Sequence, residues 1–447
     1  PRSIRQLTRA PSPRMRLRWL LVLRCAFALP LGDEQPAALV QAPAPQEAAP
    51  LCPVPTSAGQ AICDWSTDDR QLALNLKHRL LTSVAAATHG KRLLLSNTLA
   101  HELVHVETTP EILDAGYSLE RAWTDGPGRS APLLIYVHGT PATTYPNSSC
   151  VALEALSREP DVPVVLVTLG WDSHADPLSV GLSDMDEEYY LQVACARDLL
   201  ALPQVIMWVV SHSQDERSNV RSDKYRFVPI GFGADAFLSR TNHFKSLSQE
   251  TILGMVAEAS RRFSPDTSDG AVPWDGMGAA PPQRLVYAPF STLERANGIA
   301  GAIPGLQAAG EHGEVNTTEY MCEALRTVIG LSPPGTRPDC FRHYELLTAG
   351  DIVVTTEHPN GTHSLHTILA NLPVVYVSEV GGWGGLSCSW LLAQVRRFQT
   401  WERFAHEKLT VEYWRDYVKN ESMAAFTRHQ QAKLASDLER SMNNRPV

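Results

Sequence analysis

The chain predicts an α/β fold in two halves, and three observations carry that expectation. From about residue 62 onward, short apolar runs with strand character alternate with helical stretches. A stretch rich in Pro, Gly and Asp, 263–283, interrupts the alternation, and a second series follows it. The end of the chain, 390–441, reads as mostly helical and is long enough to cross back over the first half.

Composition narrows the class before any motif is considered. At 447 residues the chain is too long for one ordinary domain, and 44% hydrophobic residues can fill two cores. Lys and Arg number 39 against 48 Asp and Glu, a net charge of −9, which excludes a protein built to wrap duplex nucleic acid. A mean hydropathy of −0.16 excludes a polytopic membrane protein.

Residues 1–32 carry a leader-like pattern. After Met15, Arg16 and Arg18 form a basic start, residues 19–29 an apolar run broken by Arg24, and Ala26-Phe27-Ala28 a small-x-small cleavage candidate. A secretory signal is the first reading and an uncleaved membrane anchor the second. Residues 33–60, with six prolines among alanines and glutamines, cannot bury apolar surface and read as a stem. Sequons at Asn147, Asn316, Asn360 and Asn420 suit a glycosylated protein of the secretory pathway. Of eight cysteines, Cys25 lies in the leader; the remaining seven leave at least one thiol unpaired within the chain. None forms a C-x-x-C pair, so no structural zinc site is expected.

The first half, 61–262, has strand runs at 133–137, 162–169 and 205–210, with a helix at 188–200 and a closing turn Val228-Pro229-Ile230-Gly231. In the second half, 284–447, strands are expected at 285–288, 329–331, 352–355 and 373–377, and helices at 318–328 and 340–348.

Four motifs invite chemistry and have plainer explanations. His101-Glu102-Leu103-Val104-His105 has the spacing that places two zinc-binding imidazoles one helical turn apart with a glutamate beside the metal-bound water. It has no third ligand at a supporting spacing, so a zinc metallopeptidase is an alternative and no metal site is assigned. His138-Gly139-Thr140-Pro141 follows a strand like an oxyanion loop, but Gly385-Leu386-Ser387-Cys388-Ser389 lacks the last glycine of a nucleophile elbow. Asp184-Met185-Asp186 has a metal-diphosphate spacing, but acidic residues opening a helix explain it better.

The richest stretch is 331–354: strand, loop Ser332-Pro333-Pro334-Gly335, helix with Arg342 and Glu345, tight Gly350 turn, strand. A helix start can present backbone N–H groups to a phosphate. Arg342 and Glu345, three apart, share a helical face and suit a diphosphate and a ribose diol.

This stretch resembles the R-x-[YW]-E-x-L-x-x-G-x-I-P-V signature of exostosin-like glycosyltransferases and their ribitol-xylosyltransferase relatives. The resemblance extends to 372–377, 408–414 and 228–232, and to Phe290-Ser291-Thr292-Leu293-Glu294-Arg295. Val353 stands where that family has proline, so the choice of donor and acceptor does not carry over.

The resemblance implies a GT-B fold: two Rossmann-like lobes with a central cleft and C-terminal helices, the donor in the second lobe. The implied function is transfer of a sugar from a nucleotide-sugar donor to a glycan or glycoprotein acceptor, in the Golgi or ER lumen. Ser332, Gly335, Arg342, Glu345 and Arg295 are then donor-binding residues. Candidates for the base that activates the acceptor are His138, Asp172 and His174, on loops after strands of the first half. A helix N-terminus and arginines can stabilise a leaving diphosphate, so no cofactor or divalent metal is expected to be essential. A non-catalytic carbohydrate-binding relative is the third reading.

Overall fold

The computed structural model describes residues 63, 65–114, 117–137, 148–169, 187–211, 224–232, 247–263, 286–288, 317–334, 339–356, 366 and 368–443. The leader and the stem lie outside the described residues. Those described belong to one compact unit, and no helix among them is long and apolar enough to cross a membrane.

The chain enters through helix α1 (Thr67–Thr88), capped by Ser66, whose hydroxyl accepts from the Asp69 N–H. Helix α2 (Ser96–Leu103) and strand β1 (Val106–Glu107) follow. Then come α3 (Leu119–Asp125), β2 (Leu133–Tyr136), α4 (Ser148–Arg158), β3 (Val164–Thr168), α5 (Glu187–Ala201), β4 (Val205–Val210), β5 (Tyr225–Phe227) and α6 (Gln249–Arg262). The second series is β6 (Val286–Tyr287), α7 (Thr317–Arg326), β7 (Ile329–Leu331), α8 (Phe341–Thr348), β8 (Ile352–Thr355) and β9 (Val374–Tyr376). Helices α9 (Cys388–Gln399) and α10 (Val411–Asn443) complete it. Nearly every expected strand and helix is present, displaced by a residue or two at the ends.

The strands form two sheets, β1-β2-β3-β4-β5 and β6-β7-β8-β9, with every pairing parallel. Strand order equals chain order in both, so the described strands contain no reversal of winding. Crossovers of one hand then place their helices on one face of each sheet. Leu133, Ile135, Val164, Leu166 and Trp208 point to α3, α4 and α5. Leu134, Val165, Val167, Met207 and Val209 point the opposite way, the period of two expected of strands. A register shift at Val164/Val165 against β4 lets Val205 and Trp208, three apart, share a face.

The second sheet reverses the arrangement. Its crossover helices α7 and α8 join the same apolar cluster as the inner face of the first sheet. Its other face is covered by α1 and α9, through Ala73, Leu76, Leu80, Leu391, Val395 and Phe398. Residues 67–88, placed in the first half by their position in the chain, thus form a helix that packs on the second sheet. The disulfide Cys63–Cys388 fastens it to the start of α9, and Cys150–Cys195 fastens α4 to α5.

Three backbone segments lace the halves together. Leu94 N–H donates to Leu409 O and Phe232 N–H to Leu94 O, both at 2.8 Å. Gly231 makes this possible: its φ is +71°, and a Cβ there would lie 2.3 Å from Leu94 O. Gly350 does the same after α8, with φ +77° and Leu81 Cγ 2.9 Å from a Cβ position. Helix α10 crosses back as expected: Glu421 pairs with Arg226 at 2.6 Å, and Phe426 packs in the first-sheet cluster.

Candidate functional site

The carboxyl ends of β7 and β8 meet the first turn of α8, and three short-range chain features set the geometry. Ser332 follows β7, Thr355 ends β8, and Cys340 is the cap residue of α8, with no side-chain cap hydrogen bond of its own. His343, fully buried, lies among them. Its Nδ1 is 2.6 Å from Ser332 Oγ and 3.2 Å from Cys340 Sγ, and its Nε2 is 3.3 Å from Thr355 Oγ1. Burial works to lower the His343 ring, and the Cys340 and Asp339 charges outweigh it and raise it. Burial works to raise the Cys340 thiol, and His343, Arg342 and Ser332 outweigh it, bringing it down to about 6.

Asp339 links this corner to the other sheet. Its Oδ2 accepts from Ile230 N–H at 3.1 Å and its Oδ1 from the Tyr344 hydroxyl at 2.7 Å. Ile230 lies in the turn after β5, so segments leaving the carboxyl edges of both sheets are tied at this point.

Arg342 and Glu345 occupy the next part of α8. Arg342 is half-buried, reaches Pro333 O at 3.4 Å, and has a buried Nε with no hydrogen-bond partner. Glu345 is 2% exposed and accepts a 3.0 Å hydrogen bond from the Tyr320 hydroxyl of α7. Burial pushes its carboxyl up to about 7, against the opposing influence of Arg342 and Tyr320. A buried polar atom without a partner is uncommon in a folded protein and costs free energy until something meets it.

Of the expected donor residues, the structure brings Ser332 and Arg342 to one corner and puts Glu345 deeper, between α8 and α7. Gly335 and Arg295 lie outside the described residues, as do His138, Asp172 and His174. Cys340, His343, Asp339 and Tyr320 were assigned no role from the pattern. For the first two a signal existed: positions i and i+3 at a helix start share one face.

The metallopeptidase alternative loses its geometry. Helix α2 ends at Leu103, so His105 lies beyond it, where its Nδ1 accepts from Leu134 N–H at 2.9 Å. Glu102 is engaged by Arg92 and by Arg415. Ser387 of the elbow-like stretch caps α9, and the adjacent Cys388 is in a disulfide.

No family model matches the chain, and no curated protein matches it by sequence.

Proposed function

We propose that the chain is a glycosyltransferase of GT-B type, moving a sugar from a nucleotide-sugar to a glycan hydroxyl in the lumen of the secretory pathway. What carries the reading is the corner where Ser332, the start of α8 and Arg342 converge at the carboxyl edge of the second sheet, tied through Asp339 to the first sheet. Ligands of open parallel sheets bind outside the carboxyl ends of the strands. A guanidinium with an unmet N–H at such an edge fits an anion with several oxygens, and a diphosphate is one. Glu345, on the same helix, lies behind that corner against Tyr320, and on this reading a bound ribose would have to displace that contact to meet its carboxylate. The bonding of Cys63, Cys388, Cys150 and Cys195 into disulfides supports an oxidising compartment. Asn420 of one sequon is exposed on α10.

On this reading a base from the loops after β2 or β3 (His138, Asp172 or His174) takes the acceptor proton while Arg342, with Arg295, holds the departing diphosphate. Titration calorimetry with uridine and guanosine diphosphates tests the donor site. Arg342→Ala should weaken binding roughly ten- to a hundredfold, the equivalent of one charged hydrogen bond of about 1.5–3 kcal/mol. Unchanged affinity in a folded variant would end the reading.

A further inference from the structure

We propose that Cys340 is a nucleophilic thiolate, paired with His343, that exchanges with low-molecular-weight disulfides of the glutathione class, making this corner a redox modification site. Three observations converge. Cys340 is the one free thiol among the described cysteines, in a chain where Cys63, Cys150, Cys195, Cys322 and Cys388 are all disulfide-bonded. Its Sγ lies within hydrogen-bonding reach of an imidazole nitrogen, and that imidazole is oriented by a third group, Thr355. Nucleophile, base and orienter in that relation are the signature of an activated thiol.

The ring's surroundings can accept both protons of its doubly protonated form. Nδ1 faces Cys340 Sγ and Ser332 Oγ, and Nε2 faces Thr355 Oγ1. All three can accept, so an imidazolium can place both of its protons, the one on Nδ1 shared between Ser332 Oγ and the Cys340 thiolate. Ser332 Oγ, 3.6 Å from the sulfur, offers a second donor. Among the described residues, the charged or titratable groups facing the pair include Asp339, Arg342, Tyr344 and Glu345. Asp339 supports the imidazolium and Arg342 the thiolate. Cys340 itself is half-buried, not sealed in the core.

In the exchange, the Cys340 sulfur attacks one sulfur of the small disulfide. A new S–S bond forms as the old one breaks; Cys340 is oxidised, and the other half leaves as a reduced thiolate that takes a proton from water. The adduct would stand between Ser332 and Arg342. Exclusion of a nucleotide by it rests on the donor-site reading, whereas adduct formation does not.

The test incubates the whole chain with oxidised glutathione and follows intact mass, with peptide mapping. The expected result is one adduct on Cys340, absent in Cys340→Ser. Iodoacetamide alkylation of Cys340 across pH should rise with a midpoint near 6, moving toward the ~8.5 of an ordinary thiol in His343→Gln. The midpoint is the useful readout, because a less acidic thiolate is also a better nucleophile and the rate at one pH partly cancels. Should His343→Gln fail to fold, Ser332→Ala is the second variant and moves the midpoint the same way by a smaller step. A Cys340 that reacts only after denaturation, or a native midpoint at that of an ordinary thiol, overturns the proposal. An adduct that forms at the same rate with uridine or guanosine diphosphate present supports the thiol and counts against the donor site alone.

Discussion

The two ends of strand β8, four residues long, hold two buried ionisable clusters of opposite character. At its amino end, Asp351 meets Lys77 of α1 at 2.6 Å, with both side chains fully buried. Lys77 also donates to Ala324 O at 3.0 Å, so its charge is matched and part of its remaining donor capacity is used. Burial raises the Asp351 acid and lowers the Lys77 base, and each partner's charge opposes the effect of burial. At its carboxyl end, Thr355 meets His343, which in turn meets Cys340 and Ser332, with the unmet Arg342 Nε and the high-pKa Glu345 on the same helix. In the first, opposite charges meet inside the chain, and one carboxylate oxygen, Asp351 Oδ2, is left without a hydrogen bond. In the second, the unmet group is a guanidinium N–H, and it lies at the carboxyl edge, where ligands of parallel sheets bind.

The largest effect should come from breaking the buried ion pair at the amino end. Lys77→Met leaves the Asp351 carboxylate buried without its partner, which costs about 3–5 kcal/mol when a buried pair is broken from one side. Removing both charges, Lys77→Met with Asp351→Leu, should recover most of that loss, since apolar replacements for a whole buried pair are often neutral. Urea unfolding of the three chains measures it. A single variant within about 1 kcal/mol of wild type would mean the pair is hydrated, and the contrast between the two ends would lapse.

Much of the fold was legible because most of its strands are short, apolar and buried, a pattern that survives without any knowledge of partners. Ile352-Val353-Val354-Thr355 is visible as a strand from composition alone. What joins the elements was not legible. Lys77 and Asp351 are 274 residues apart and Asp339 and Ile230 are 109 apart, and no local period marks such pairs. The His101–His105 spacing was legible but misleading, since α2 stops two residues before the second imidazole. At the site, Arg342 and Glu345 were readable as one helical face, while the depth of Glu345 depends on α7 lying over it.

The second effect concerns Glu345 and separates cost from use. Its folded pKa of about 7 exceeds the 4.5 of the free side chain. The folded protein therefore binds the extra proton between those values, and stability is full below 4.5 and lost as pH rises through 7. Glu345→Gln keeps the shape and an acceptor for Tyr320 but does not titrate. It should match wild type near pH 4.5 and exceed its stability above pH 7 by up to about 3 kcal/mol, since each tenfold change in proton affinity corresponds to about 1.36 kcal/mol. The same variant should bind nucleotide more weakly at pH 8. Asp351→Asn, by contrast, should be destabilising at that pH, because it strands Lys77.

The smallest effect isolates a single hydrogen bond. Tyr320 donates to Glu345, which favours the ionised carboxylate, while burial disfavours it. Tyr320→Phe removes only the hydroxyl; the ring also packs against Tyr287, 5.7 Å between centroids, and that contact survives. The loss of one such bond to a buried charge is worth roughly 1.5–3 kcal/mol at pH 8, where Glu345 is ionised. Near pH 5 the carboxyl is protonated and a neutral bond of about 1 kcal/mol is lost instead. The penalty of Tyr320→Phe should therefore grow by about 1 kcal/mol between pH 5 and pH 8, and the Glu345 midpoint should move further up. Unfolding curves for wild type and variant at the two pH values read it directly. A penalty independent of pH would place the Glu345 charge elsewhere than against Tyr320.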